Sequence, residues 1–225
     1  MPAPAIVFDL DGTLVESAPD LAATTNVLLK RRGRRQIELE ELRSMVGKGA
    51  RVMIEKAFAA TGEPATEAET NEMIPEFLEY YGEHVSDLTL PFPGVIDALE
   101  TLRAQGCRLG VCTNKFESLS NKLLIALNMD HYFDAVLGGD TLKVRKPNPE
   151  HVLETIRRLG GTSDHAVMVG DSNNDIDAAK AGGVASIAVT FGYTDIPAME
   201  LGADRVIGHF DELVPALDEL TEVNG

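Results

Sequence analysis

An apolar run, Ile6-Val7-Phe8, opens the chain and stops at Asp9-Leu10-Asp11-Gly12-Thr13. A continuous apolar strand that ends in a polar, Gly-containing turn predicts burial on both faces, as in a parallel sheet. The pattern puts this first strand at 3–9. Between 15 and 87 no run has strand character, and the periodicity predicts helices near 18–32, 38–46, 49–60 and 66–85. Gly33, after Leu28-Leu29-Lys30-Arg31-Arg32, reads as a helix stop. Glu69, Glu72, Glu76, Glu79 and Glu83 recur at helical spacing, a solvated face opposite Met73, Phe77, Tyr80 and Tyr81. Pro75 interrupts that stretch and predicts either a later helix start or a kink.

Beyond Leu90-Pro91-Phe92-Pro93-Gly94 the pattern changes. Helices near 94–105, 117–128, 149–159 and 173–182 alternate with strands at 108–112, 135–137, 166–169 and 186–189, and a weaker strand at 205–207 follows. Such alternation predicts an α/β fold with a doubly wound parallel sheet and right-handed crossovers. The expected division is a core of residues 1–14 and 88–225, with the helical segment 15–87 inserted after the first strand. The joins near Leu14 and Leu90 are natural hinge points.

Composition narrows the partners. The 225 residues carry 20 Lys and Arg against 36 Asp and Glu, a net charge of −16. That field repels polyanions, so no nucleic-acid partner is expected. A small anionic substrate is compatible with it, because a bound cation reverses the field locally. Cys107 and Cys112 lie an odd number of residues apart in a strand-like run, so they fall on opposite faces and cannot bridge. A reducing compartment, the cytoplasm, is the expectation. No apolar run is long enough to span a membrane, and the first residues lack the basic flank of a signal peptide.

Ligands of open α/β sheets bind beyond the carboxyl ends of the strands, and the informative polar residues lie there. Asp9 and Asp11 follow the first strand, Thr113-Asn114-Lys115 the second, Lys146 the third, and Gly170-Asp171-Ser172-Asn173-Asn174-Asp175 the fourth. Any one of these alone is an ordinary turn or cap residue; together and in order they define a site. Four carboxylates, Asp9, Asp11, Asp171 and Asp175, converging on one pocket suit Mg²⁺. Lys146 supplies an opposing charge, and Thr113 with neighbouring N–H groups can hold phosphate oxygens.

The same residues resemble the four motifs of the haloacid dehalogenase-like (HAD) hydrolases. Phe8-Asp9-Leu10-Asp11-Gly12-Thr13-Leu14 matches the DxDGT motif, and Val111-Cys112-Thr113-Asn114 is similar to an apolar strand ending in Thr or Ser. Lys146-Pro147-Asn148-Pro149 resembles the lysine motif, and Gly170-Asp171-Ser172-Asn173-Asn174-Asp175 the GDSxxD motif. The resemblance implies a three-layer Rossmann-like core with a small all-helical cap domain. Asp9 would be the nucleophile and Asp11 the general acid and base. Mg²⁺ would be held by Asp9, the Asp11 backbone carbonyl and Asp171, with support from Asp175. Thr113, Asn114 and Lys146 would bind phosphate.

A narrower resemblance is to phosphoglycolate phosphatases, through Asp11-Gly12-Thr13-Leu14-Val15-Glu16-Ser17-Ala18-Pro19-Asp20-Leu21 and Met45-Val46-Gly47-Lys48-Gly49-Ala50-Arg51. It implies a small phosphate ester, 2-phosphoglycolate, as substrate and a monomer or homodimer as the working form. Lys48 or Arg51 is the expected contact for the substrate carboxylate, against the alternative that Gly47-Lys48-Gly49 is only a turn between helices. A sugar-phosphate phosphatase or a β-phosphoglucomutase-like mutase uses the same Asp pair. A phosphoacceptor signalling domain is more remote, since it lacks both the insertion and the second Asp. The basic run Lys30 to Arg35 falls where a helix ends and is read as a favourable helix-end charge. The histidines show no zinc-ligand spacing.

Overall fold

The structure, a computed structural model, describes residues 4–223. In chain order the elements begin with β1 (Ala5–Phe8), β2 (Val15–Glu16), α1 (Ala18–Arg31), α2 (Leu39–Arg43), α3 (Ala50–Thr61) and α4 (Glu67–Glu83). They continue with β3 (Leu90–Pro91), α5 (Val95–Ala104), β4 (Arg108–Cys112), α6 (Glu117–Ala126), β5 (Ala135–Leu137) and α7 (Pro149–Arg158). The chain closes with β6 (Ala166–Gly170), α8 (Asn173–Ala181), β7 (Ala185–Val189), β8 (Arg205–Ile207) and α9 (Leu213–Val223). Ala3, the expected start of the first strand, lies outside the described residues.

β1 is buried at every position because it is central: β4 pairs with it in parallel on one side and β6 on the other. The whole sheet runs β5-β4-β1-β6-β7-β8, parallel throughout. Alternate residues divide between its faces, as the period-two geometry of a strand requires. Ile6, Phe8, Leu109, Val111, Val167 and Val169 join the larger apolar cluster, which also takes in α5, α6, α9 and the helical insertion. Ala5, Val7, Cys112 and Met168 face the other way, onto α7 and α8. Three layers result, an α/β fold of the kind the alternating pattern predicts. Cys107 and Cys112 belong to different clusters and both are free thiols.

The insertion is built by ordinary helix signals. α1 ends with Lys30 and Arg31 in its last turn and Gly33 at φ 65, whose N–H donates to the Lys30 carbonyl. Arg31 and Arg32 then both pair with Glu76 of α4, so the basic run serves helix packing. Thr66 and Glu69 form a capping box at the start of α4. Pro75 neither starts nor ends that helix but lies inside it. Met73, Phe77 and Tyr81 make the buried face, while Tyr80 is half-exposed and packs on His84.

Two features differ from the sequence expectation. β2 and β3 form a two-residue antiparallel pair at the hinge, Val15 opposite Pro91 and Glu16 opposite Leu90, too short to leave a periodic pattern. α9 follows the last strand and covers one face with Leu213, Ala216, Leu217 and Leu220. No helix among the described residues is long and apolar enough to cross a membrane.

Candidate active site

Asp9 directly follows β1, and its N–H continues the ladder by donating to the Val169 carbonyl at 2.9 Å. The next residues reverse sharply: the N–H groups of Leu14 and Val15 both donate to Leu10, and Gly12 donates to Val15. Gly12 stands at φ 90, where a side chain is strained, and a Cβ there would lie 2.5 Å from Asp171 Oδ2. The turn therefore brings the ends of β1 and β6 into contact only with glycine at this position.

The Lys146 ammonium, almost wholly buried, sits among acceptors from two strand ends and the first turn of α8. Its Nζ donates to Asp9 Oδ1 at 2.9 Å, to Asp175 Oδ1 at 2.6 Å and to the Cys112 carbonyl. Asp175 divides its two oxygens between tasks. Oδ2 caps α8 through the Ser172 N–H and hydroxyl, which leaves Oδ1 for the lysine. Asp171 accepts the Tyr193 N–H at 2.6 Å and a longer bond from Thr13 Oγ1 at 3.4 Å.

Oxygens of Asp9, Asp171 and Asp175 lie within 4.8 Å of one another, all three residues buried. Three carboxylates against one ammonium leave an excess of two negative charges in a dry corner. Burial pushes the Asp9 carboxyl up to about 6, and repulsion from Asp175 works in the same direction against the pull of Lys146. Burial also holds Asp171 well above the usual carboxylate range, with Asp175 and Asp9 adding to it. A hard divalent cation with a preference for oxygen ligands offsets this excess, so the residues fit such an ion.

The carboxylate of Asp11 is not part of this group, which corrects the expected convergence of four carboxylates to three. It turns toward Lys115, whose Nζ lies 2.9 and 3.1 Å from its two oxygens, and accepts from Ser17 Oγ at 2.6 Å. Lys115 also donates to the Tyr81 hydroxyl of α4 at 2.7 Å. Burial opposes the Lys115 charge, yet Asp11 and Tyr81 together outweigh it and raise the ammonium's pKa. Asp9 and Asp11 nevertheless open onto one cavity, with Thr113, Asn114 and Lys115 on its wall and Gly47 and Phe77 of the insertion above.

Thr113 is buried on this wall and its hydroxyl accepts the Lys115 N–H. Asn114 acts as a tie: Nδ2 donates to the Gly47 carbonyl at 3.1 Å and the Lys146 carbonyl at 3.0 Å. Asn174 donates to the same Gly47 carbonyl at 3.2 Å. The loop carrying Lys48 thus reaches the cavity through backbone. The Lys48 side chain is exposed, and Arg51 bonds to Asn71 and pairs with Glu55; neither lines the cavity.

Sequence reasoning gives no role to Lys115, Tyr81, Ser17 or Tyr193. Lys115 carries the one usable signal, a cation directly past a strand end at the edge that bears both Asp residues. Tyr81 reads only as part of an apolar helix face.

Comparison with known proteins agrees with this architecture. Residues 6–189 match the haloacid dehalogenase-like hydrolase family. A phosphoglycolate phosphatase of Agrobacterium fabrum is 44% identical over 96% of this chain and 93% of its own length. One from Mesorhizobium japonicum is 44% identical over 97% and 96%. A crystal structure described as a predicted phosphoglycolate phosphatase from Haemophilus somnus aligns at TM-score 0.90 with 34% identity, covering 96% of this chain and 98% of that one. With its four motif residues gathered at the strand ends of a parallel sheet, the chain belongs to the haloacid dehalogenase-like hydrolase family.

Proposed function

We propose that the chain is a Mg²⁺-dependent phosphatase that hydrolyses 2-phosphoglycolate to glycolate and phosphate through an aspartyl-phosphate on Asp9. The observation that carries this reading is the position of Asp9 and Asp11 on one cavity, with Lys146 2.9 Å behind Asp9. An Asp oxygen attacks phosphorus as the ester P–O bond breaks, and Asp11 delivers a proton to the departing oxygen. Asp11 then takes a proton from water as the water oxygen attacks phosphorus, which releases phosphate and regenerates Asp9. Lys146 orients Asp9 and offsets its charge, while Thr113 and Asn114 border the space for the phosphoryl oxygens.

Asp9, Asp171 and Asp175, with the Asp11 backbone carbonyl, would hold the cation, whose positive charge reduces repulsion between a carboxylate and a phosphate dianion. The insertion, residues 15–87, acts as a cap: Gly47, fastened to Asn114 and Asn174, brings it over the reacting groups and keeps water out. The choice of 2-phosphoglycolate is supported by the named activity of the Agrobacterium and Mesorhizobium relatives, which align along nearly the whole chain.

The test is phosphate release from 2-phosphoglycolate, glucose phosphates and pyrophosphate, with Mg²⁺ and with chelator, and Asp9→Asn as control. Turnover of 2-phosphoglycolate that needs both Mg²⁺ and Asp9 is the expected result. Activity on sugar phosphates with none on 2-phosphoglycolate would refute the substrate, and activity in Asp9→Asn would refute the nucleophile.

A further inference from the structure

Resting on that reading, we propose that Lys115 and Tyr81 together receive the carboxylate of the substrate's leaving group, and so select a phosphorylated 2-hydroxy acid over a neutral ester. Four observations lead there. First, the cavity wall above Asp11 is apolar, with Leu21, Met53, Phe77 and Leu119 among its residues. Among the described residues that line it, Lys115 is the one cation. A carboxylate entering such a space without a cation would lose its hydration with nothing in return.

Second, the pair has donors to give. An ammonium carries three N–H donors, and a phenol can donate while it accepts. Lys115 spends its donors on Asp11 and on the Tyr81 oxygen, 2.7 Å away. The Tyr81 hydroxyl hydrogen has no acceptor among the described hydrogen bonds, although the residue is only 1% exposed. The Tyr81 hydroxyl hydrogen is thus free to give, and Lys115 places two donors on the two oxygens of Asp11, so that one can turn to an incoming carboxylate while the other keeps its hold on Asp11.

Third, the site lies at the right chemical distance. Asp11 must reach the ester oxygen to protonate it. In 2-phosphoglycolate a single methylene separates that oxygen from the carboxylate, and Lys115 sits 2.9 Å from Asp11. The acid and the cation thus address adjacent ends of the same short leaving group. Fourth, the basic side chains around the α2–α3 junction of the insertion are elsewhere: Lys48 is exposed and Arg51, in the first turn of α3, is engaged with Asn71 and Glu55. Lys115 comes from the core and Tyr81 from the insertion, so their contact forms only when α4 lies over the strand ends.

The experiment compares kcat/KM for 2-phosphoglycolate and ethyl phosphate, the same ester with a methyl group in place of the carboxylate, in the Mg²⁺-loaded enzyme. The wild type is expected to prefer 2-phosphoglycolate by about 100-fold or more, as a site built around a polar group rejects the analogue that lacks it. In Lys115→Met the preference should fall at least about tenfold, because activity on 2-phosphoglycolate drops further than activity on ethyl phosphate. Tyr81→Phe, which keeps the packed ring, should reduce the preference by about three- to tenfold and decides the matter if Lys115→Met does not fold.

Equal losses on both esters in the variants would overturn the proposal, since that pattern marks a general effect on Asp11. Loss of the preference in Arg51→Ala, with the preference kept in Lys115→Met, would also overturn it. A wild type that turns over ethyl phosphate but not 2-phosphoglycolate would instead refute the substrate assignment, and the carboxylate receptor with it.

Discussion

The backbone N–H of Tyr193 donates to Asp171 Oδ2 at 2.6 Å, while the phenol of the same residue reaches the start of the helical insertion. Its oxygen accepts the Ala18 N–H at 3.0 Å and donates to Glu16 Oε1 at 2.7 Å. One residue therefore joins the acidic corner to the hinge. Tyr193→Phe keeps the backbone bond and deletes both phenol bonds, leaving the buried Ala18 N–H unpaired. The unfolding free energy should fall by about 1–2 kcal/mol in urea titration. An unchanged midpoint would mean that the phenol contributes nothing to the fold.

Asp9 and Asp11, the two carboxylates proposed as nucleophile and acid, should fail in different ways. Asp9→Asn is expected to lower kcat by about 10⁴ or more with every ester, because the nucleophile is gone. Asp11→Asn should cost about 10²–10⁴ with alkyl phosphates and far less with p-nitrophenyl phosphate, whose leaving group needs no proton. Burst kinetics with p-nitrophenyl phosphate should then reveal slow breakdown of the aspartyl-phosphate. Equal losses of Asp11→Asn on both leaving groups would speak against its role as acid.

Metal removal should be visible without any turnover. With Mg²⁺ held by Asp9, Asp171 and Asp175 as proposed, and not by the unfolded chain, the ion at about 100 times its dissociation constant should add about 2.7 kcal/mol. The thermal midpoint in Mg²⁺ against EDTA measures this. Asp171→Asn relieves one charge, and the metal-free variant should melt at or above the wild-type temperature while losing the Mg²⁺ shift. A variant still stabilised by Mg²⁺ would place the ion elsewhere.

Much of this was readable from residue order, and the reasons are physical. β1, β4 and β6 are buried on both faces, so their apolar runs stand out, and the site residues directly follow them. The Asp11–Lys115 pair joins positions 104 apart, and nothing local to either residue encodes which carboxylate that lysine will meet. The two-residue β2–β3 pair is too short for a period to register. Leu213, Ala216, Leu217 and Leu220 follow helical spacing, so α9 is legible in the sequence, although it lies beyond the strand–helix alternation that ends at 205–207. Pro75 was ambiguous because the packing of Met73, Phe77 and Tyr81 outweighs one missing hydrogen bond, and only the folded chain shows that balance.

Acid should weaken the fold through His151. The ring is fully buried, Nε2 donates to the Gly138 carbonyl at 3.1 Å, and Nδ1 has no hydrogen-bond partner among the described residues. Burial, with the Lys146 charge in second place, pulls its pKa down from 6.5 to about 4. A folded pKa below the unfolded one means that the unfolded chain binds the extra proton first. Stability from this group is therefore complete above pH 6.5 and drains away as pH falls toward 4. The loss should reach about 2 kcal/mol by pH 5. Urea titrations of the wild type and His151→Gln at pH 7 and pH 5 isolate it, because the raised Asp9 and Asp171 carboxyls, which add stability as pH falls, act in both proteins. An equal pH slope in that variant would assign the effect to other groups.

Because Val15 faces Pro91 and Glu16 faces Leu90, the chain leaves the core and re-enters it through a single doorway. Paired antiparallel residues stand about 5 Å apart, so everything between them is, topologically, the loop of a β-hairpin. The sheet never has to be rethreaded when that loop changes. A different helical unit, or a tight turn, can be grafted between Glu16 and Leu90 while the strand order holding Asp9, Lys146 and Asp171 stays as it is. The architecture keeps the strand ends that carry Asp9, Lys146 and Asp171 in one unit and the inserted helices in another, and lets the second be exchanged independently of the first.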